Sequence, residues 1–321
     1  MASDRNAFLV LGMHRSGTSA FAGTLGHLGL VLPAELMAPD PANANGYFES
    51  WELAKLHNRM LRAGASAWDD WSPIPDSWFD QPSAATHAKR VGAFLEREFS
   101  RARNFAIKDP RICRVVPIWQ QALKRFDASV RVILPLRHPA AVTRSLAARD
   151  GVLLGEAHLL WLRYMLDAER ATRDVPRVFV TFEALLEDWR AAIDRVATRL
   201  DFAWPRAMSE AAPEIDTFLQ PRLRHHRVPP LDRGASGPAG LLALEAWEVL
   251  AAFTRREPAP DAIAHLDRLR GRLDRIPSAY ALPFGIGAVA GPMVRMISRL
   301  RVKPGPAKEI LESRRPAETG K

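Results

Sequence analysis

Residues 12–19, GMHRSGTS, combine the residue types that bind phosphate groups. They lie between a short apolar run, residues 7–11, and a helical pattern over residues 18–28. Glycine lets backbone N–H groups crowd around an anion, and the start of a helix adds unpaired donors and the positive end of the helix dipole. The segment therefore predicts a phosphate-binding loop. Its candidate anion contacts are Arg15, Ser16, Gly17, Thr18 and Ser19.

The spacing of this loop is close to that of the nucleotide-triphosphate loop G-x-x-x-x-G-K-[ST], but the lysine is missing. Thr18 stands where that lysine would reach the β- and γ-phosphates. The substitution argues against ATP or GTP as the ligand. Positive charge comes earlier, at Arg15, whose planar guanidinium can bind one terminal phosphate through two donors. An ordinary turn between strand and helix is the alternative interpretation.

A second candidate anion contact follows a longer apolar run, residues 130–136. Arg137 comes directly after this run, Pro139 is a natural first residue of a helix, and Ser145 lies about two helical turns further on. Ligands of α/β proteins bind at the carboxyl ends of the strands, so these side chains are expected at the same edge as the loop. Taken singly, Arg137 as a surface ion-pair partner and Ser145 as a helix-surface residue remain the alternatives.

A lysine follows the apolar run 105–107, in the segment KDPR at residues 108–111. Because Asp109 precedes a proline, it is disfavoured in helical geometry. The chain is therefore expected to turn there and to direct Lys108 inward. A solvated turn with a local ion pair is the alternative.

Glu49 ends the segment NGYFE, residues 45–49, and is the candidate general base. A carboxylate within hydrogen-bond reach of a hydroxyl can take its proton. The alternative is an acidic residue that complements the dipole of a helix predicted over residues 50–61. His14 is a second candidate for the base.

In combination these segments resemble the sulfotransferases that use 3′-phosphoadenosine-5′-phosphosulfate (PAPS) as sulfuryl donor. The RSGTS loop is similar to the arginine form in carbohydrate sulfotransferases, the KDP segment to one in tyrosylprotein sulfotransferases, and the Gly-aromatic-aromatic-Glu segment to bacterial sulfotransferases. The resemblance covers residues 5–228. It implies that the loop holds the 5′-phosphosulfate, that Arg137 and Ser145 hold the 3′-phosphate, and that Lys108 contacts the transferring group. It also implies adenosine 3′,5′-bisphosphate as product and no metal.

The elements that must position these residues alternate along the chain. Four short apolar runs with β-branched members predict strands at residues 7–11, 105–107, 130–136 and 178–181. Helical patterns follow three of them, at residues 18–28, 140–148 and 183–200. This alternation indicates an α/β fold with a central parallel sheet flanked by helices, a three-layer P-loop-like arrangement. Two more helices are predicted at residues 241–254 and 261–276, as a C-terminal extension.

The chain of 321 residues is long enough for one large domain with extensions. A Gly/Pro-rich break at residues 229–240 predicts a core domain over 1–230, a helical extension over 231–280, and a basic, partly disordered tail over 281–321. The single cysteine, Cys113, suits a reducing compartment. Neither the N-terminal apolar run nor residues 281–294 are long enough for a signal core or a membrane span.

The formal net charge of +9, most of it after residue 221, favours anionic partners in general. No nucleic-acid motif accompanies it. Two basic segments are candidates for further contacts: residues 222–227, RLRHHR, and a helical pattern over 293–301 with methionine and leucine on one face and arginine on the other. The second predicts either contact with an anionic membrane surface or packing on the protein core.

Three tryptophans in a predicted loop over residues 68–82 bear on the acceptor: Trp68, Trp71 and Trp78. They could stack on sugar rings, and the alternative is that they pack the loop onto the core. The resemblance implies sulfation of a hydroxyl, and with these tryptophans we expect it on a carbohydrate or surface-glycan precursor, in a bacterial cytoplasm or peripherally at the inner membrane. The competing predictions are a P-loop kinase and a non-catalytic glycan- or membrane-binding protein, in which Lys108 and Glu49 need not face the phosphate loop.

Overall fold

A computed structural model describes residues 4–39, 46–219 and 237–278 of the chain. Its sheet has four parallel strands in the order β2-β1-β3-β4. The strands are β1 (Arg5–Val10), β2 (Asn104–Lys108), β3 (Ala128–Leu136) and β4 (Arg177–Thr181). Three of them contain a predicted apolar run, and β1 covers residues 7–10 of the predicted run 7–11, so the four strand predictions are confirmed to within one residue.

Eleven α-helices of the described residues connect and cover these strands. They are α1 (Thr18–His27), α2 (Trp51–Ala63), α3 (Pro82–Phe99), α4 (Val116–Arg125), α5 (Pro139–Asp150), α6 (Leu154–Ala171), α7 (Phe182–Glu187), α8 (Trp189–Leu200), α9 (Met208–Phe218), α10 (Gly237–Ala252) and α11 (Pro260–Asp274). Two short 3-10 helices occur at Asp76–Trp78 and Pro110–Arg114.

Alternate side chains of each strand enter opposite layers, because successive residues of a strand point to opposite faces of the sheet. Ala7 and Leu9 of β1 belong to a core cluster that contains residues of α3, α4 and α6. Phe8 and Val10 belong to a second cluster with residues of α1, α7 and α8. The sheet is thus buried on both faces, and the predicted three-layer α/β fold is confirmed.

The single helix predicted over residues 183–200 is wrong in one respect: the structure has two helices, α7 and α8, separated at Asp188. The backbone of Asp188 is extended, with φ −148°, and its side chain accepts a hydrogen bond from the N–H of Ala191 at 3.0 Å. Asp is a preferred residue before a helix because its carboxylate satisfies an otherwise unpaired N–H. The local cap outweighs the helical periodicity there.

The two C-terminal helices, α10 and α11, pack on α6 and contribute to the same core cluster as α3 and α4. Most of the break at 229–240 and the tail at 281–321 lie outside the described residues, so the division into domains stays a prediction. The basic segments 222–227 and 293–301 also lie outside them. Within the described ranges, no helix combines the length and the apolar character that a bilayer crossing requires.

Candidate active site

The phosphate loop leaves the carboxyl end of β1 and runs directly into α1. Arg15 and Gly17 both have positive φ angles, 70° and 85°. A non-glycine residue in this region is uncommon, and such conformations concentrate at functional sites. Gly17 precedes the first helical residue, and no side chain caps the helix there. The residue before α1 therefore offers no side-chain acceptor to the first N–H groups of the helix, an arrangement that is compatible with the predicted anion site.

Gly17 is required for a close approach as well as for its φ angle. A Cβ atom at this position would lie 2.2 Å from the ring of Phe182, the first residue of α7. The guanidinium of Arg137 lies 5.1 Å from the centroid of the same ring. Phe182 therefore supports the loop and Arg137 together, and any side chain at residue 17 would displace both.

Arg15, Arg137 and Ser145 converge on one place at the carboxyl ends of β1 and β3. Arg137 donates from Nη1 to the carbonyl oxygen of Arg15 at 3.0 Å. Arg15 donates from Nε to Oγ of Ser145 at 2.9 Å. Arg15 and Arg137, which the resemblance assigns to the 5′-phosphosulfate and the 3′-phosphate of one ligand, therefore lie side by side.

Two polar atoms of this group are buried without a hydrogen-bond partner among the described residues: Nε of Arg137 and Oγ of Ser16. Burial, and secondarily the positive charge of Arg15, lowers the pKa of Arg137 below its ordinary value, although Glu183 partly opposes this. A buried polar group that lacks a partner costs free energy. An anion between these groups would supply the missing acceptor and the missing negative charge.

Lys108 reaches the loop from the carboxyl end of β2. Its Nζ donates to Oγ of Ser19 at 3.2 Å, to the carbonyl of Tyr47 at 3.0 Å, and to Oε1 of Glu49. Residue 18 of the loop is not a lysine. Lys108 of the neighbouring strand β2 instead brings a positive charge to the first turn of α1. The structure brings Lys108 and Glu49 to the phosphate loop, whereas the non-catalytic alternative did not need them there.

Glu49 is buried, and its carboxylate is directed at cations and not at a helix. Ser50 precedes α2, and the acidic residue in the first turn of α2 is Glu52. The two oxygens of Glu49 contact Lys108 and Arg111, the latter at 3.5 Å from Nη1 to Oε2. The geometry therefore favours a role for Glu49 in the site over a role as the N-terminal acid of α2.

Behind Glu49 lies a buried chain of side chains that the sequence did not indicate. Both oxygens of Asp109 accept from Nη1 of Arg111 at 3.0 Å, and Oδ2 of Asp109 lies 3.0 Å from Nδ1 of His57. Nε2 of His57 in turn accepts from the indole N–H of Trp119 at 2.9 Å. Despite the burial of Asp109, the positive charge of Arg111 and the contact with His57 hold its pKa below the ordinary value.

His14 lies against the tryptophan loop. Its ring centroid is 5.6 Å from that of Trp68 and 5.9 Å from that of Tyr164. Burial, then the positive charges of Arg111 and Arg149, lower the pKa of His14 well below 6.5. The imidazole is therefore neutral at pH 7, and its Nε2 is buried without a partner among the described residues.

Trp71 and Trp78 pack the predicted loop onto the core, which was the alternative to stacking on sugar rings. Trp78 is buried in the main core cluster, and the indole N–H of Trp71 donates to the carbonyl of Ile276 at 3.2 Å. Trp68 is only partly buried and is the one of the three that contacts His14. Within the described part of the chain, no group of histidine, cysteine and acidic residues is arranged to hold a metal ion.

No family model and no curated protein matches the chain. Solved structures that are similar to it include the sulfotransferase domain of the Synechococcus PCC 7002 olefin synthase, with 17% identity, 86% of this chain and 97% of that chain covered, and a TM-score of 0.44. The sulfotransferase domain of the curacin biosynthetic pathway has 14% identity, with 85% and 99% covered and a TM-score of 0.42. Sulfotransferase STF1 of Mycobacterium tuberculosis H37Rv has 13% identity, with 67% and 72% covered and a TM-score of 0.37. These three solved structures are sulfotransferases or sulfotransferase domains.

Proposed function

We propose that this protein is a sulfotransferase that moves a sulfuryl group from PAPS to an acceptor hydroxyl, on a carbohydrate or a related glycan precursor. One observation carries the proposal. Arg15, Arg137 and Ser145 meet beside the uncapped start of α1, while Lys108 contacts Ser19 on the first turn of that helix and pairs with Glu49. Anion-binding groups and a paired acid and cation therefore share one site.

The residues at the loop fit the two anionic ends of the donor. The N–H groups at the start of α1, with Ser16, Thr18 and the guanidinium of Arg15, suit the 5′-phosphosulfate. Arg137 and Ser145 suit the 3′-phosphate, because Arg137 is buried, has an unpartnered Nε and has no carboxylate of a described residue within ion-pair distance. When bound, PAPS would supply an activated sulfuryl group with a nucleotide phosphate as leaving group.

Charge placement is what the chain itself contributes to the transfer. Negative charge grows on the leaving oxygen, and donors that are already oriented toward it stabilise the transition state more than the ground state. Lys108 is oriented in this way, because three oxygens hold its ammonium at the start of α1. Transfer between two oxygens in line needs little else from the protein besides position.

Glu49 would take the proton of the acceptor hydroxyl. A positioned carboxylate contributes about 10²- to 10⁴-fold to a rate of this kind. Its oxygens are held from two sides by Lys108 and Arg111, so its position is fixed before an acceptor binds. His14, neutral at pH 7, is the other candidate base, but no described residue orients its Nε2.

The acceptor would enter beside Trp68, which packs against His14. Trp68 presents a partly exposed indole there, and its carbonyl oxygen accepts from the hydroxyl of Tyr164 at 2.7 Å. Aromatic faces are suited to the apolar faces of sugar rings. This supports a carbohydrate acceptor, and the same arrangement admits other ring-containing hydroxyl compounds.

Calorimetric titration with adenosine 3′,5′-bisphosphate and with ATP tests the proposal. The bisphosphate should bind the more tightly, because Arg137 and Ser145 meet its 3′-phosphate while the loop lacks the lysine for a γ-phosphate. Tighter binding of ATP would overturn the proposal in favour of a kinase. Binding of neither nucleotide would overturn it in favour of a non-catalytic protein.

A further inference from the structure

Only one nitrogen of the Arg111 guanidinium, Nη1, donates hydrogen bonds to described residues. Nη1 donates to both oxygens of Asp109 and lies close to Glu49. Nε is buried without a hydrogen-bond acceptor among the described residues, and Nη2 donates to none of them either. The side chain keeps 14% exposure. Since Nε and Nη2 lie in one plane on the same edge of the group, they form a fork of two donors that has no acceptor among the described residues.

The position of this fork is fixed from behind. Oδ1 of Asp109 accepts from the backbone N–H of Arg111 at 2.9 Å as well as from its side chain. Asp109 is completely buried and is itself held by His57, which is held by Trp119. Arg111 therefore cannot swing freely, and little conformational entropy remains to be lost when a ligand binds to the fork.

Arg111 and Lys108 contact different oxygens of Glu49. Lys108 contacts one oxygen of Glu49 and also Ser19 of the loop, whereas Arg111 contacts the other oxygen. The charge of Arg111 acts on His14, where it lowers the pKa. The open fork thus belongs to the space near His14 and Trp68, where the acceptor would enter.

We propose that Arg111 binds an oxyanion carried by the acceptor itself. The substrates would then be hydroxyl compounds that also bear a carboxylate or a sulfate group. This inference rests on the proposed function, because it places the acceptor beside Glu49. An arginine fork matches the two oxygens of a carboxylate or sulfate through parallel hydrogen bonds, and such charge-assisted pairs are among the strong ones. A neutral acceptor would leave the buried Nε unsatisfied.

Calorimetric titration with 4-hydroxybenzoate and with 4-hydroxybenzamide tests the inference. These probes have the same shape and differ in charge. The protein, saturated with adenosine 3′,5′-bisphosphate so that Arg15 and Arg137 are occupied, should bind the acid at least about tenfold more tightly than the amide. 4-Hydroxybenzenesulfonate then distinguishes the two oxyanions by the order of affinity. Equal affinity for the acid, the sulfonate and the amide would overturn the inference.

Two substitutions of Arg111 separate recognition from folding. R111Q removes the charge, while R111K keeps a cation beside Asp109 but has no fork. Both should reduce the preference for the acid to less than about threefold, and R111K should keep the wild-type circular dichroism and the wild-type affinity for the bisphosphate. A full preference in R111K would overturn the role of the fork.

Arg149 provides the matched control. Its charge also reaches His14, but its own fork is occupied by Asp150, with Nε 2.9 Å from each carboxylate oxygen and Nη2 2.7 Å from one of them. R149Q should leave the preference for the acid unchanged, and an equal loss in R149Q would show a general charge effect and overturn the inference. If the bisphosphate itself fails to bind, the proposed function fails, and the difference in acid preference between the wild type and R111K, measured without nucleotide, still decides the role of Arg111, because any contribution of Arg15 and Arg137 is the same in both proteins.

Discussion

Two buried arginines of this protein, Arg137 and Arg163, differ in what compensates their charge. Arg163 on α6 forms ion pairs with Asp167 and Asp274, and these carboxylates raise its pKa above the ordinary value in spite of burial. Arg137 has a backbone carbonyl and an aromatic ring as neighbours, and burial lowers its pKa. Both arginines are buried, but carboxylates pair directly with Arg163, whereas the charge of Glu183 only partly opposes the effect of burial on Arg137.

The completed arginine belongs to a network that joins three parts of the fold. Asp167 on α6 accepts from Arg114 at 2.8 Å and from Arg270 of α11 at 2.6 Å. Arg163 also donates to the carbonyl of Trp71 at 2.7 Å. The network therefore fastens the C-terminal helices and the tryptophan loop to α6. The comparison teaches that the state of pairing of a buried cation, more than its burial, distinguishes a structural position from a ligand site.

The buried ion pair of Lys108 and Glu49 lies inside the proposed site, although its charges neutralise each other. Substituting Glu49 is therefore the strongest test of the difference between structural positions and ligand sites. E49Q should reduce turnover by about 10²- to 10⁴-fold, since the acceptor would lose its base, while affinity for the bisphosphate stays near that of the wild type. Steady-state rates and calorimetry measure the two quantities. E52Q, on the exposed first turn of α2, is the control. An E49Q variant with full turnover would make the pair structural.

Breaking the ion-pair network around Arg163 should lower stability and leave the affinity for the bisphosphate unchanged. R163M leaves Asp167 and Asp274 without one of their cations inside the protein, and removal of one partner from a buried pair costs about 3–5 kcal/mol of stability. Denaturant unfolding measures this loss, and bisphosphate affinity should not change in the folded variant. R97M removes an exposed pair with Glu52 and should cost far less. A loss of bisphosphate affinity in R163M would erase the difference between the two regions.

Removing the arginine that lacks an anion should affect binding and not stability. R137A should weaken adenosine 3′,5′-bisphosphate by about 10- to 150-fold, the range for hydrogen bonds to a charged group, and should leave adenosine 5′-monophosphate nearly unaffected. Unfolding in denaturant should change little, because no ion pair is broken. R131A, earlier on the same strand, is the control. Equal losses for the two nucleotides would contradict a 3′-phosphate role for Arg137.

The smallest expected effect concerns His14. Its pKa is lowered in the folded protein, so below about pH 6.5 the unfolded chain binds more protons than the folded one, and stability falls as the pH falls. Between pH 7 and pH 5 the wild type should lose about 1–2 kcal/mol more than H14N. Denaturant unfolding at several pH values checks this, with H265N on α11 as the control. Identical slopes for wild type and H14N would show that His14 is solvated.

Local patterns are enough to predict the strands and the loop, and through them much of the candidate site. Each of the four strands contains a run of apolar residues, because a strand buried on both faces needs apolar side chains at every position. Since parallel strands end at one edge of the sheet, the residues that follow them must meet there. Lys108 after β2 and Arg137 after β3 do so, beside the loop that follows β1.

The break between α7 and α8 was not predicted, because a single capping contact at Asp188 decides it. Arg111 and His57 were also not identified as members of the site. The only signal for Arg111 was its place directly after the KDP segment. For His57 there was none, since its partners Asp109 and Trp119 lie far from it along the chain.

The sequence by itself determines where the strands, the phosphate loop and the cations at the strand ends lie, because burial patterns and turn residues act over a few neighbouring positions. Only the tertiary structure decides which cations are neutralised. Arg114 meets Asp167 across 53 residues and Arg163 meets Asp274 across 111, whereas Arg137 forms no ion pair with a described residue and the charge of Glu183 only partly opposes its burial. Coulomb attraction depends on distances in space, which no local pattern contains.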